Sequence, residues 1–190
     1  MGEHGKPILL NLGCGFERFA GHINVDGYAI CNPDVVWDLN ITPLPWAENS
    51  IDGIKLYHVI EHVENWWELF SDCARVLKVG GYFDVRMPCD SSTSAMTYRD
   101  HLNAFSSYSF YGIWGAQRGS NAWATEQQHS VPLGMISHLK VPNPQFFWMA
   151  RWAPWLMEFC AAHGRNFIRE QRFMFVKLSP EYLEKHQPSR

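Results

Sequence analysis

Over the first ninety positions the apolar residues fall into two patterns. Short stretches rich in apolar residues occur at Ile8-Leu9-Leu10, His22 to Val25, Asp34 to Leu39, Ile51 to Val59 and Tyr82 to Met87. Runs of this length, rich in β-branched and aromatic residues, predict buried strands. One stretch has a different period. From Val63 onward, Trp66, Leu69, Phe70, Cys73, Ala74 and Leu77 recur every three or four residues, one face of a helix that Gly80-Gly81 is expected to stop. Between the first two strands, Phe16 to Gly21 leave room for only a turn or two of helix. The order predicts an α/β fold with a mostly parallel central sheet, flanking helices and a shortened first crossover.

The second half is less regular. Ser91 to Thr97 is small and polar and reads as a loop, Phe105 to Trp114 as a short helix, and Asn121 to Pro132 as a surface loop. Met135 to Val141 and Phe167 to Leu178 read as strands. Phe146 to His163 is helical and apolar almost all round, with Pro154 kinking it or starting a second helix. Its aromatics Trp148, Trp152 and Trp155 predict core packing or a self-association face, with a substrate wall as the alternative.

Composition narrows the picture. At 190 residues, with 46% hydrophobic and 18% charged residues, the chain reads as one domain, 1–190, able to bury roughly 70% of its unfolded surface. A net charge of −3 without a basic run gives no dedicated nucleic-acid surface. The five cysteines form no C-x-x-C pair and their number is odd, which fits reduced thiols in a cytoplasmic protein. Neither a signal peptide nor a membrane span is expected, since the apolar stretch ending at Cys160 carries Arg151, Pro154 and Glu158.

In open α/β sheets ligands sit outside the carboxyl ends of the strands. Gly13, Asp26, Asp38, His58 and Asp90 all fall at or just after predicted strand ends, so they share one rim. Gly13-Cys14-Gly15 permits a tight turn and close approach to a ligand, and an acid after the next strand accepts hydrogen bonds from ribose hydroxyls. Asp26 follows Gly13 by only 13 residues, against about 20 in dinucleotide folds. A pyrophosphate needs the N-terminus of a full helix. The short spacing therefore favours S-adenosylmethionine, which has no phosphate, over a nicotinamide cofactor.

LNLGCG (Leu10 to Gly15), INVDGY (Ile23 to Tyr28), DLNITPLPWAENSID (Asp38 to Asp52), HVIEHV (His58 to Val63) and RVLKVGG (Arg75 to Gly81) resemble, in order and spacing, the class I S-adenosylmethionine-dependent methyltransferases, in particular a small type 11-like branch. HLNAFSSYSF (His101 to Phe110) extends the likeness. The resemblance implies a Rossmann-like methyltransferase fold in which Gly13, Cys14 and Gly15 line the methionine and ribose part of the cofactor. It implies that Asp26, followed by Gly27, takes the ribose hydroxyls, that Asp38 and Leu39 flank the adenine, and that His58 borders the sulfonium. Asn11 stands where many relatives carry an acid, Glu17 where a third glycine is usual, and Val79 where a proline is usual.

Methyl transfer requires alignment of nucleophile, methyl and sulfur, with a base only for a protonated acceptor. Candidates for that work are His101 first, then Glu61 and His62. The acceptor is expected to be a small molecule offering oxygen or nitrogen, held by the region 90–144. A second reading keeps the cofactor pocket without transfer and uses the aromatic half as an interaction surface. His58-Val-Ile-Glu61-His62 also spells H-x-x-E-H, a zinc-protease pattern. It needs both histidines on one helix face, and here the first lies in a predicted strand, so no metal is expected.

Overall fold

The computed structural model describes residues 5–106, 108–110, 113 and 131–185. Strands β1 (Leu9–Leu12), β2 (Ile23–Asp26), β3 (Val35–Val36) and β4 (Ile51–Tyr57) are followed by helix α1 (Trp66–Val76) and the long strand β5 (Leu77–Pro88). Then come α2 (Thr93–Thr97), β6 (Leu133–Pro142), α3 (Phe147–Trp152), α4 (Pro154–His163), β7 (Ile168–Lys177) and α5 (Pro180–Lys185). Among the described residues the strands form one sheet in the order β3-β2-β1-β4-β5-β7-β6. The first five are parallel, whereas β7 runs antiparallel to β5 and to β6. The order reverses between β1 and β4, which is where open α/β sheets bind ligands.

The core is aromatic. Helix α1 buries Leu69, Phe70, Cys73, Ala74 and Val76. Phe70 lies 5.2 Å from Phe83, 5.1 Å from Phe110 and 5.2 Å from Phe175, ring centre to ring centre. A smaller cluster of Cys89, Met149, Met157 and Ile168 lies under α3 and α4. Lys177 is buried, and its ammonium donates to Asn49 Oδ1 and to the carbonyls of Arg75 and Leu77, tying the end of β7 to the end of α1. None of the cysteines is paired, and among the described residues no helix is long and apolar enough to cross a membrane.

Several elements differ from the sequence reading. Residues 16–22 contain no helix at all. The buried amide of Asn24 holds this connection instead, accepting from the Phe19 amide and donating to the carbonyls of Phe19 and His22. β3 is only two residues long, because Asp34 turns back to accept from the backbone and side chain of Asn24. Gly80-Gly81 does not stop the helix. α1 ends at Val76, and Leu77 already pairs with Ile51, so the glycines bend β5, Gly80 at φ +80°.

Ser91 to Thr97, expected as a loop, contains α2, whose start is capped by Ser92 accepting from the Ser94 amide. Phe105 to Trp114 is not a helix where it is described: Phe105 bridges to Cys89 and residues 108–110 form a turn. The loop expected over 121–132 lies outside the described residues, apart from its last two positions. Of the two alternatives for 146–163, Pro154 starts a second helix, since Ala153 before it is pushed out of helical geometry. Trp148, Trp152 and Trp155 are not core: they are exposed, Trp152 to 79%.

Candidate active site

The glycine bend after β1 is constrained on one side and open on the other. Gly13 has φ +67°, and a Cβ there would lie 2.3 Å from Val59 Cγ2. Gly15, at φ +48°, faces open space. The bend is held from below by Cys14 N donating to the Val25 carbonyl and by Glu17 N donating to the Cys14 carbonyl. It is held from the side by Asp26, whose Oδ2 accepts from the Gly15 amide at 2.8 Å and whose Oδ1 accepts from the Tyr28 amide at 2.9 Å. Each carboxylate oxygen can accept a further bond, so Asp26 both shapes the turn and keeps capacity for hydroxyl donors.

Asp26 and Asp38 belong to adjoining strand ends, as the rim argument required. Trp37 N donates to the Asp26 carbonyl, and a Cβ on Gly27 would lie 3.8 Å from the Asp38 Cα. The Asp38 carboxylate is exposed and accepts from the backbone and side chain of Asn40, while the Leu39 side chain is buried. Asn11 is buried and faces inward: its amide donates to the Glu17 carbonyl and to Asn24 Oδ1. It stiffens the helix-free connection and does not line the hollow described next. Asp90 likewise caps its own turn, accepting from the Ser91 amide.

Two hollows lie along the rim. The first, about 490 Å³, is bounded by Gly13 to Glu17, Tyr57, His58, Arg86 and Glu170. The second, also about 490 Å³, is bounded by His58, Glu61, His62, Pro88, Ser94, Tyr98, Asp100, His101, Arg169 and Glu170. His58 and Glu170 form the wall between them. β4 ends one residue before His58, which takes a left-handed conformation at φ +54°. Its Nε2 donates to Glu170 Oε2 at 2.8 Å, and its Nδ1 lies 3.5 Å from Glu61 Oε1. The hydrogen bond to Glu170, and then the nearby Glu61 carboxylate, raise the His58 pKa to about 9, so the ring is an imidazolium at neutral pH. The same bond lowers the pKa of Glu170. With two carboxylates around one cation, the wall suits a positively charged neighbour.

Glu170 was missed by the sequence reading. It sits near the beginning of β7, and because β7 is antiparallel its first residues, not its last, reach the rim. Alternating charge in Arg169-Glu170-Gln171-Arg172 was the available signal. The floor of the first hollow is a charged cluster. Tyr57 donates to Asp84, which is buried and also accepts from Arg172 Nε at 2.7 Å and Nη2 at 2.6 Å. Burial, then the bond to Asp84, push the Tyr57 pKa up to about 12. The Arg86 guanidinium stacks on Tyr57 at 4.1 Å, and its Nε is buried without a hydrogen-bond partner among the described residues.

The three candidates for catalysis do meet. Glu61 and His62 lie on a single 3-10 turn, Ile60–His62. The segment carrying His101 is fastened to that turn by Leu102 N and Asn103 N, both donating to the Glu61 carbonyl. The rings of His62 and His101 lie 4.8 Å apart, edge to face. His58 follows β4 instead of lying in it, and it lines the second hollow together with His62.

Residues 32–85 match a family model described as a methyltransferase domain. Comparison with curated protein sequences finds no match. Among solved structures, an S-adenosylmethionine-dependent methyltransferase from Archaeoglobus fulgidus is 14% identical, with a TM-score of 0.62 over 91% of this chain and 87% of that one. Geranyl diphosphate C-methyltransferase from Streptomyces coelicolor A3(2), in complex with Mg²⁺, geranyl diphosphate and S-adenosylhomocysteine, is 15% identical, with a TM-score of 0.58 over 90% and 71%. The cyclase SpnF is 14% identical, with a TM-score of 0.58 over 92% and 76%. At these identities the likeness is one of fold.

Proposed function

We propose that this chain, a member of the class I S-adenosylmethionine-dependent methyltransferases by its sheet and its methyltransferase-domain match, transfers the methyl group to an oxygen or nitrogen of a small-molecule acceptor. The observation that carries the reading is the pair of hollows meeting at His58 and Glu170. The residues present fit the cofactor. Gly15 leaves room for a ligand where a side chain would intrude, and Asp26 keeps lone pairs for ribose hydroxyls. Arg86 has an unpaired buried Nε to meet a carboxylate.

When bound, S-adenosylmethionine supplies an activated methyl on a sulfonium. The chain then has to bind, align and shield. Gly13, Cys14 and Gly15 would hold the amino-acid and ribose end, while Asp38 and Leu39 would flank the base. His58 and Glu170, which border both hollows, would stand between the cofactor's sulfonium and the acceptor. His58, already protonated, is no base. A proton from the acceptor falls to His62 or His101, whose hollow takes Ser94, Tyr98, Asp100 and His101 from the segment after β5. We place the protein in the cytoplasm, reading its unpaired thiols as reduced.

Calorimetry with S-adenosylhomocysteine tests the cofactor site. Micromolar binding is expected, weakened about tenfold in Arg86→Ala through loss of one charge-assisted hydrogen bond of about 1.5 kcal/mol. Preference for NAD would overturn the assignment. Methyl release in the presence of small hydroxylated and amine acceptors tests transfer.

One observation bears on the interaction surface of a second reading, binding without transfer. Trp148, Trp152, Trp155 and Phe159 are exposed by 57%, 79%, 73% and 58% on the α3–α4 pair. Apolar area of this kind marks an interaction face, here for a second copy of the chain. Sedimentation should show concentration-dependent dimers that Trp152→Glu with Trp155→Glu abolishes. A monomer at all concentrations would remove the self-association.

A further inference from the structure

Glu61 is anomalous among the described residues. It is 1% exposed, and neither carboxylate oxygen has a hydrogen-bond partner among the described residues. The nearest cation, His58 Nδ1, stands 3.5 Å away and is already bonded to Glu170 through its other nitrogen. A buried carboxylate costs several kcal/mol unless it is paired or coordinates a metal. Around it, one carboxylate oxygen of Glu61 and one nitrogen each from His62 and His101 lie within 4.8 Å of one another.

The histidines are prepared for the same purpose. His62 Nδ1 lies 2.9 Å from the Asp100 carbonyl, and His101 Nδ1 lies 3.2 Å from the Ala95 carbonyl. A carbonyl only accepts, so each Nδ1 carries the proton and each Nε2 presents a lone pair. An imidazole oriented by a backbone carbonyl is the usual second shell of a metal-binding histidine. The backbone bonds from Leu102 and Asn103 to the Glu61 carbonyl hold the third ligand's segment in place. Ligands sharing a zinc-type ion at about 2.0–2.2 Å lie roughly 3.3–3.5 Å apart, so a contraction of about one ångström closes the set.

We propose that Glu61, His62 and His101 form a site for one divalent transition-metal ion in the wall of the second hollow. Two imidazoles and one carboxylate on one side of an ion leave its other positions to exogenous ligands. Those positions face a hollow lined by Ser94, Tyr98 and Arg169. With an ion bound, His62 and His101 act as ligands and no longer as bases; the ion instead gives an oxygen-bearing acceptor a point of attachment that makes its proton easier to lose to solvent, a role that rests on the methyl-transfer reading. Metal binding itself does not. The H-x-x-E-H spelling does not supply this set: His58 is engaged with Glu170, and His101 takes its place.

The test is titration of the metal-stripped protein with Co²⁺, read by visible absorption, followed by displacement with Zn²⁺. One ion per chain is expected, with bands of a four- or five-coordinate site. His101→Ala, in a half-buried segment, should weaken binding at least tenfold, and His163→Ala on α4 should not. Because Glu61→Gln alters a fully buried position and puts folding at risk, paramagnetic proton NMR of the unsubstituted protein gives a second reading. Two histidine ring signals should shift on adding Co²⁺, and His101→Ala should remove one of them. Absence of saturable binding, or binding unchanged in His101→Ala, overturns the site. S-adenosylhomocysteine calorimetry on the same samples separates the two claims: product binding without Co²⁺ binding sinks the metal site alone, and the converse sinks the cofactor reading alone.

Discussion

Asp26→Ala is expected to weaken binding of S-adenosylhomocysteine about a hundredfold, equivalent to about 2.7 kcal/mol. Two losses combine. The charge-assisted bonds to incoming hydroxyls disappear, each worth roughly 1.5–3 kcal/mol. The Gly15 and Tyr28 amides also lose their acceptor, so the glycine bend that shapes the hollow is no longer held from the side. Asp38→Ala is the informative comparison. Its carboxylate is exposed and bonds only to Asn40 among the described residues, so its affinity loss should stay under about fivefold, as for an exposed polar contact. Calorimetry of both variants checks the ranking. Equal losses, or none in Asp26→Ala, would show that the nucleoside does not lie against β2.

Much of this arrangement was legible in the chain because local and global signals agree there. The runs that became β1, β2 and β4 each bury apolar residues, and the acid and glycines at their ends fall together on the rim of a parallel sheet. The three-to-four spacing of Trp66, Leu69, Phe70 and Cys73 is unambiguous, and so is the rim that follows from a parallel sheet. Where reading failed, a distant partner decided. Gly80-Gly81 looks like a helix stop, but pairing with Ile51 draws Leu77 into the sheet first. The connection from Phe16 to Gly21 has room for a turn of helix, but Asn24 competes for its backbone groups. The Trp148, Trp152 and Trp155 set suggested core because tryptophan usually packs. No periodicity says which face of so apolar a helix pair will be covered.

The site shows the same division. Gly13, Gly15, Asp26 and His58 could be placed because each ends a strand whose direction was evident. Glu170 could not, since it opens a strand, and only the reversed direction of β7 brings it beside His58. The grouping of Glu61 and His62 with His101 depends on a backbone attachment forty residues along the chain. It has no signature in spacing. Asn11 stands where many relatives carry an acid, yet an amide can bond in several directions and this one turns inward.

Asp84→Ala is expected to lower stability by about 2–4 kcal/mol, a fall in melting temperature of roughly 5–15 °C for a chain of this size. Asp84 is buried between three strands and accepts from Tyr57 and twice from Arg172. Its removal leaves a guanidinium and a phenol without their acceptor. The Arg172 side chain is 31% exposed, so water recovers part of the loss, and the estimate sits below that for a fully enclosed pair. Two comparisons separate charge from packing. Tyr57→Phe keeps the ring on which Arg86 stacks and should cost only about 1 kcal/mol. Asp84→Ala combined with Arg172→Met removes the stranded cation and should recover at least half of the single variant's loss. The consequence also reaches the site, because Tyr57 and Arg86 form the floor of the first hollow. Asp84→Ala should therefore weaken S-adenosylhomocysteine binding severalfold at temperatures where the variant remains folded, whereas Tyr57→Phe should not. A melting temperature within about two degrees of the parent would mean that this cluster does not hold the sheet together beneath the ligand.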